Sequence, residues 1–60
     1  MYKRTMKFRD INVNTVFNIK GEDVRFVKRE LSNGYNAFNL ETGTPYYFYG
    51  EVVCEVGDCS

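Results

Sequence analysis

The chain has 60 residues, of which 43% are hydrophobic and 17% aromatic, with eight basic and eight acidic residues and no histidine. That length holds one domain at most, and its stability is marginal because so short a chain hides only about 60% of its unfolded surface. Five Phe, five Tyr and frequent Val and Ile exclude a disordered chain, and no apolar stretch approaches the ~20 residues of a membrane span.

In chain order, residues 1–6 (M-Y-K-R-T-M) form a basic arm, either an edge strand or frayed. Met6 to Asn14 reads as a loop that drops Phe8 and Ile11 into the core, with room for one short helical turn. Thr15 to Ile19 is a strand with Phe17 and Ile19 on one face and Asn18 on the other. Gly21 opens a turn. In the strand Val24 to Leu31, Val24, Phe26 and Lys28 alternate with Arg25, Val27 and Arg29. Asn33-Gly34 between apolar runs is the signature of a type I′ hairpin turn. The third strand, Tyr35 to Leu40, has Phe38 and Leu40 on one face and Tyr35 and Ala37 on the other. After a turn at Gly43, Pro45 sits at the mouth of the run Tyr46 to Tyr49, which Gly50 breaks with a bulge or corner. Glu51 to Val56 closes the pattern with Val52, Cys54 and Val56 inward, and 57–60 is tail.

Four to five short strands joined by tight turns predict an all-β fold. In so few residues the sheet must curl on itself, as a strongly bent antiparallel meander or small SH3-like barrel. Residues 1–60 then make a single domain. The expected core holds Phe17, Phe26, Phe38, Phe48 and the inward face of the last strand.

Charge is unevenly laid out. Up to Arg29 there are eight bases against three acids, and beyond it five acids and no base. Such asymmetry either marks a nucleic-acid or membrane patch or neutralises across neighbouring strands. Cys54 and Cys59 are too few for a structural zinc site in a chain without histidine. No apolar segment of the signal-peptide kind follows the basic N-terminus, so reduced thiols and the cytoplasm are expected, with Cys54 acting as a small buried apolar residue.

The run Y-Y-F-Y is aromatic on both faces. Alternation turns Tyr46 and Phe48 inward and Tyr47 and Tyr49 outward. The outward pair is either half-buried packing at a corner or a contact surface, for which a flat ring with a hydroxyl is well suited. Tyr35 extends that candidate surface, and Arg25, Lys28 and Arg29 border it. No catalytic constellation is apparent: the commonest general base is missing, and Ser32 and Ser60 have no activating partner. Glu51 and Glu55 read as a solvated strand face. No residue set points to a cofactor or a metal, and a non-enzyme is expected.

The segments F-R-D-I-N-V-N-T-V-F, G-E-D-V-R-F-V-K, Y-N-A-F-N-L-E-T-G and Y-F-Y-G-E-V-V-C-E-V together resemble small proteins of tailed bacteriophages that have an SH3-like β-barrel. The resemblance runs from Phe8 to Val56. It implies a phage or prophage product that acts in the host bacterial cytoplasm by binding, often to a host enzyme or defence factor, and it transfers no catalytic residue. Three functions follow as expectations. The first is a non-catalytic protein that inhibits or redirects a host protein. The second is a nucleic-acid binder using Lys3, Arg4, Lys7, Arg9, Lys28 and Arg29. The third is a self-assembling homodimer that forms a groove for a small ligand such as a nucleotide.

Overall fold

The computed structural model describes residues 2–58, and side chains over 4–57. Six strands form one antiparallel sheet: β1 (Tyr2–Lys7), β2 (Val16–Ile19), β3 (Arg25–Ser32), β4 (Tyr35–Asn39), β5 (Pro45–Tyr46) and β6 (Val53–Asp58). Their order is β1-β6-β2-β3-β4-β5. The all-β expectation therefore holds, with two corrections. There are six strands rather than four or five, and only β2 to β5 run as a meander, because β6 returns between β1 and β2. β1 and β5 are the two edges and do not pair with each other, so the sheet is open.

The basic arm is an edge strand, in register with β6 from Tyr2 opposite Asp58 to Lys7 opposite Val53. The register sets Arg4 opposite Val56 and Lys7 opposite Val53 on β6. The expected tail is also partly strand, since Gly57 and Asp58 belong to β6. Cys59 lies outside the described residues.

Hydrophobic burial organises one side of the sheet. Phe8, Ile11, Phe17, Phe26, Ala37, Cys54 and Val56 are buried together, with Met6, Ile19, Phe48 and Val52 packed against them. Met6 on one edge strand and residues beyond the other edge reach the same cluster, so the sheet bends around it. The rings interlock: Phe17 lies 5.4 Å from Phe8 and 5.7 Å from both Phe26 and Phe48 by centroids. Phe8 and Ile11 enter as expected, from a 3-10 turn at Phe8–Asp10. Cys54 is fully buried. Burial pushes its thiol above the ordinary range, with the Lys28 charge opposing, and a protonated buried thiol is a poor nucleophile.

The third strand is turned over relative to expectation. Ala37, not Phe38, faces the core and is wholly buried, while Phe38 lies on the outer side opposite Val27. The reason is space. The rings of Phe26, Tyr46 and Phe48 stand 5.1–5.9 Å apart on the inner side, and beneath them there is room for a methyl group only. Three residues, Arg29 to Leu31, stand opposite Asn36 alone between the pairs Lys28–Ala37 and Ser32–Tyr35. The two extra residues on β3 interrupt the ladder before the hairpin turn.

The turn itself is as read. Asn33 and Gly34 have φ of 54° and 84°, both positive as a type I′ turn requires. A Cβ at Gly34 would meet nothing within 4 Å, so Gly34→Ala should cost only the backbone strain, about 1–2 kcal/mol. A lowered urea midpoint with unchanged slope would show it.

Candidate functional site

The chain between β5 and β6, residues 47–52, carries the aromatic run without forming a strand. It needs other partners for its backbone, and side chains and the 3-10 turn supply them. Asn36 Nδ2 donates to the Phe48 carbonyl at 2.9 Å, and the Phe48 amide donates back to Asn36 Oδ1 at 2.9 Å. One buried amide side chain thus replaces a rung of strand pairing. On the other side the Phe8 amide donates to the Val52 carbonyl at 2.8 Å and that of Arg9 to the Gly50 carbonyl at 3.2 Å. Gly50 is the corner that permits this approach, since a Cβ there would lie 3.2 Å from the Arg9 Cβ.

Held this way, the run separates by face as alternation requires. Phe48 is packed against the core, with Tyr46 stacked on it at 5.9 Å. Tyr47 and Tyr49 point away, 51% and 73% exposed. Their rings meet edge to face at 5.4 Å, a preferred aromatic geometry. Tyr47, Leu31, Phe48, Arg9, Lys28 and Arg29 are among the residues that line a surface groove of about 410 Å³. Leu31 is lifted into it by the β3 bulge and is 65% exposed.

Of the six candidate residues, three come together here. Tyr47, Lys28 and Arg29 line the groove, and Tyr49 adjoins through Tyr47. Tyr35 and Arg25 do not line it. Tyr35 leans on Phe38 at 6.4 Å, and Arg25 stands opposite Asn18 on the outer side of β2 and β3. Lys28 has a structural engagement: its Nζ donates to the carbonyls of Phe8 at 2.8 Å and Ile11 at 2.6 Å and sits 4.5 Å from the Phe8 ring centroid. Alternation had already placed Lys28 beside Phe26 on the inner side. Sequence reasoning missed Leu31, whose role depends on the bulge, and Asn36, whose bonding follows no periodicity.

Two bases just beyond the arm are likewise engaged. Lys7 and Arg9 both reach Glu51, each at 3.0 Å. Glu51 and Glu55 do not act as a pair, since Glu55 accepts from Asn18 Nδ2 at 3.0 Å. The hydrogen bond from Lys7, then the charge of Arg9, holds the Glu51 carboxyl below its ordinary value of 4.5. A lowered folded value means a contribution present above the unfolded pKa and lost as pH falls through the folded one. Melting of wild type and Glu51→Gln should therefore differ slightly at neutral pH and converge in acid, the pair being exposed.

Among the described residues no cluster of three potential metal ligands forms, and no helix is long and apolar enough to cross a membrane. The fold and its surface define a small open antiparallel β-sheet domain with an aromatic-rimmed groove. No family model, curated protein or solved structure matches the chain.

Proposed function

We propose that this is a non-catalytic binding protein that docks on another protein through Tyr47, Tyr49 and Leu31, with Arg29 at the rim. The observation that carries the reading is the exposure of two tyrosine rings held in a fixed mutual geometry. Exposed aromatics on a rigid support bury large area at low entropic cost when a partner arrives. The absence of histidine supports a binding role over catalysis. The bent sheet around a phenylalanine cluster supports the SH3-like reading of the fold. Through the resemblance to phage proteins, the partner in this proposal is a bacterial host protein, inhibited or redirected in the cytoplasm. Protein is favoured over nucleic acid because Lys7 and Arg9 share the Glu51 carboxylate and Lys28 is held by backbone carbonyls, so three of the six bases that would track phosphates are already engaged within the fold.

The test is an affinity pull-down from bacterial lysate, with and without nuclease. The expected result is one host protein retained after nuclease, lost with Tyr47→Ser/Tyr49→Ser and kept with Leu40→Ser, a control whose exposed residue does not line the groove. A haul that disappears with nuclease, or one indifferent to the tyrosine variant, would contradict the proposal.

A further inference from the structure

The groove beside Tyr47 continues past the β3 bulge. A neighbouring hollow of about 460 Å³, with Asn14, Ser32 and Phe38 on its wall, shares Val13, Arg29 and Glu30 with it. The two form one open trough across the bulged residues, each hollow within the range of about 300–1,000 Å³ found for ligand clefts. Its apolar wall includes Val13 and Leu31, 39% and 65% exposed, and the ring of Tyr47. Several of its polar groups are already bonded. Asn36 holds Phe48, and the Gly50 carbonyl accepts from the Arg9 amide. A lysine ammonium has three N–H donors. Lys28 bonds the Phe8 and Ile11 carbonyls with its own, so one donor is left. Arg29 is exposed, and its guanidinium has no hydrogen bond or ion pair among the described residues. The wall carries Arg9, Lys28 and Arg29 against one acid among the described residues, Glu30. Adding Lys7 and Glu51, which pair beside it, leaves four bases to two acids.

We propose that the partner segment this trough receives is acidic, with an apolar side chain flanked by carboxylates. The inference rests on the reading of Tyr47 as a docking surface and adds the chemistry of what docks. The apolar side chain packs on Leu31, Val13 and the Tyr47 ring. A carboxylate takes the Arg29 guanidinium, whose planar fork of N–H groups matches its two oxygens, and a carboxylate oxygen suits the spare donor of Lys28. Arg29 is the natural anchor because it is the base on this wall with no bond inside the fold to give up. Arginine is also the charged residue most enriched where binding energy concentrates. A basic segment would meet the same three cations as like charges, which is how such a wall rejects wrong partners. Glu30 opposes the acidic segment and limits its affinity.

Titration of the full chain with three blocked peptides, followed by amide chemical shifts, tests the proposal. The peptides are acetyl-Asp-Leu-Asp-amide and its counterparts with Asn or Lys in place of Asp. The aspartate peptide should move the amides of Leu31, Ser32 and Tyr47 saturably and bind about tenfold tighter than the asparagine peptide at low salt. The gap should narrow as salt screens the charges, and the lysine peptide should bind weakest. Arg29→Glu, a change at an exposed position, should abolish the preference for aspartate, and Glu30→Gln should enlarge it. No saturable shift with the aspartate peptide, shifts confined to other parts of the sheet, or equal binding of the three peptides would overturn the proposal. So would tighter binding of oligothymidylate than of the aspartate peptide, which would give the trough to phosphates. The pull-down reads Tyr47 and Tyr49 while the peptides read charge. Equal binding of the three peptides therefore overturns the acidic assignment alone, and a pull-down indifferent to the tyrosines overturns the docking surface.

Discussion

Replacing Asn36 with Leu should cost about 3 kcal/mol, because it leaves the amide and carbonyl of Phe48 without partners and each orphaned buried group costs about 1–3 kcal/mol. The side chain is 9% exposed and bonds both groups at 2.9 Å. At about 0.05–0.15 kcal/mol per residue the whole domain is worth only about 3–9 kcal/mol, so the variant should be partly unfolded at ordinary temperature. Asn36→Asp is the discriminating companion. Its carboxyl can still accept from the Phe48 amide but, when ionised, faces the Phe48 carbonyl without a proton to donate. Its stability should rise as pH falls and the acid protonates, opposite to the usual acid loss. Urea unfolding at neutral and acid pH reads both variants. An Asn36→Leu protein as stable as wild type would show that segment 47–52 is held by other means.

Lys28→Met should cost about 2–3 kcal/mol, since hydrogen bonds from a charged donor contribute about 1.5–3 kcal/mol each and the two here share one ammonium. Methionine keeps the apolar stem and removes only the head. The Phe8 carbonyl retains the Ile11 amide as a donor at 3.1 Å, so the Ile11 carbonyl bears most of the loss. The 3-10 turn should loosen first, with faster amide exchange at Arg9 and Ile11 than in the rest of the core. Because Arg9 holds Gly50 through its amide, the looseness should pass to the tyrosine segment. Lys28→Arg should not restore stability, since a planar fork does not place one nitrogen over both carbonyls. Unchanged exchange at Ile11 in Lys28→Met would remove Lys28 from this role.

What was legible in the sequence is what periodicity and turn chemistry encode. Phe17, Phe26, Cys54 and Val56 lie on the buried side as alternation places them, and Asn33-Gly34 turns where two positive φ values are needed. The outward aim of Tyr47 and Tyr49 was legible for the same reason. Phe38 and Ala37 were misassigned because a large ring is the better prior for a core position, whereas three rings from elsewhere in the chain had already filled that space. The pairing of β1 with β6 joins residues at opposite ends of the chain, and nothing local announces it. Alternation places Asn18 on the face opposite Phe17, and nothing in the sequence singles out Asn36. Their burial follows from backbone groups they satisfy, which only the folded geometry brings within reach. The candidate site was therefore half legible: its aromatic pair came from alternation, while the entry of Leu31, the removal of Tyr35 and Arg25, and the engagement of Lys28 by the Phe8 and Ile11 carbonyls came from the folded geometry.

The claim on which the functional reading stands is that Tyr47 and Tyr49 are a surface and not part of the core. Thermal unfolding of Tyr47→Ser/Tyr49→Ser against wild type tests it most directly. The account predicts a melting temperature within a few degrees of wild type, as surface substitutions change stability by only about 0.5 kcal/mol. A collapse of the melting transition would show that the two rings hold the fold together, and the contact surface would then have to be sought elsewhere.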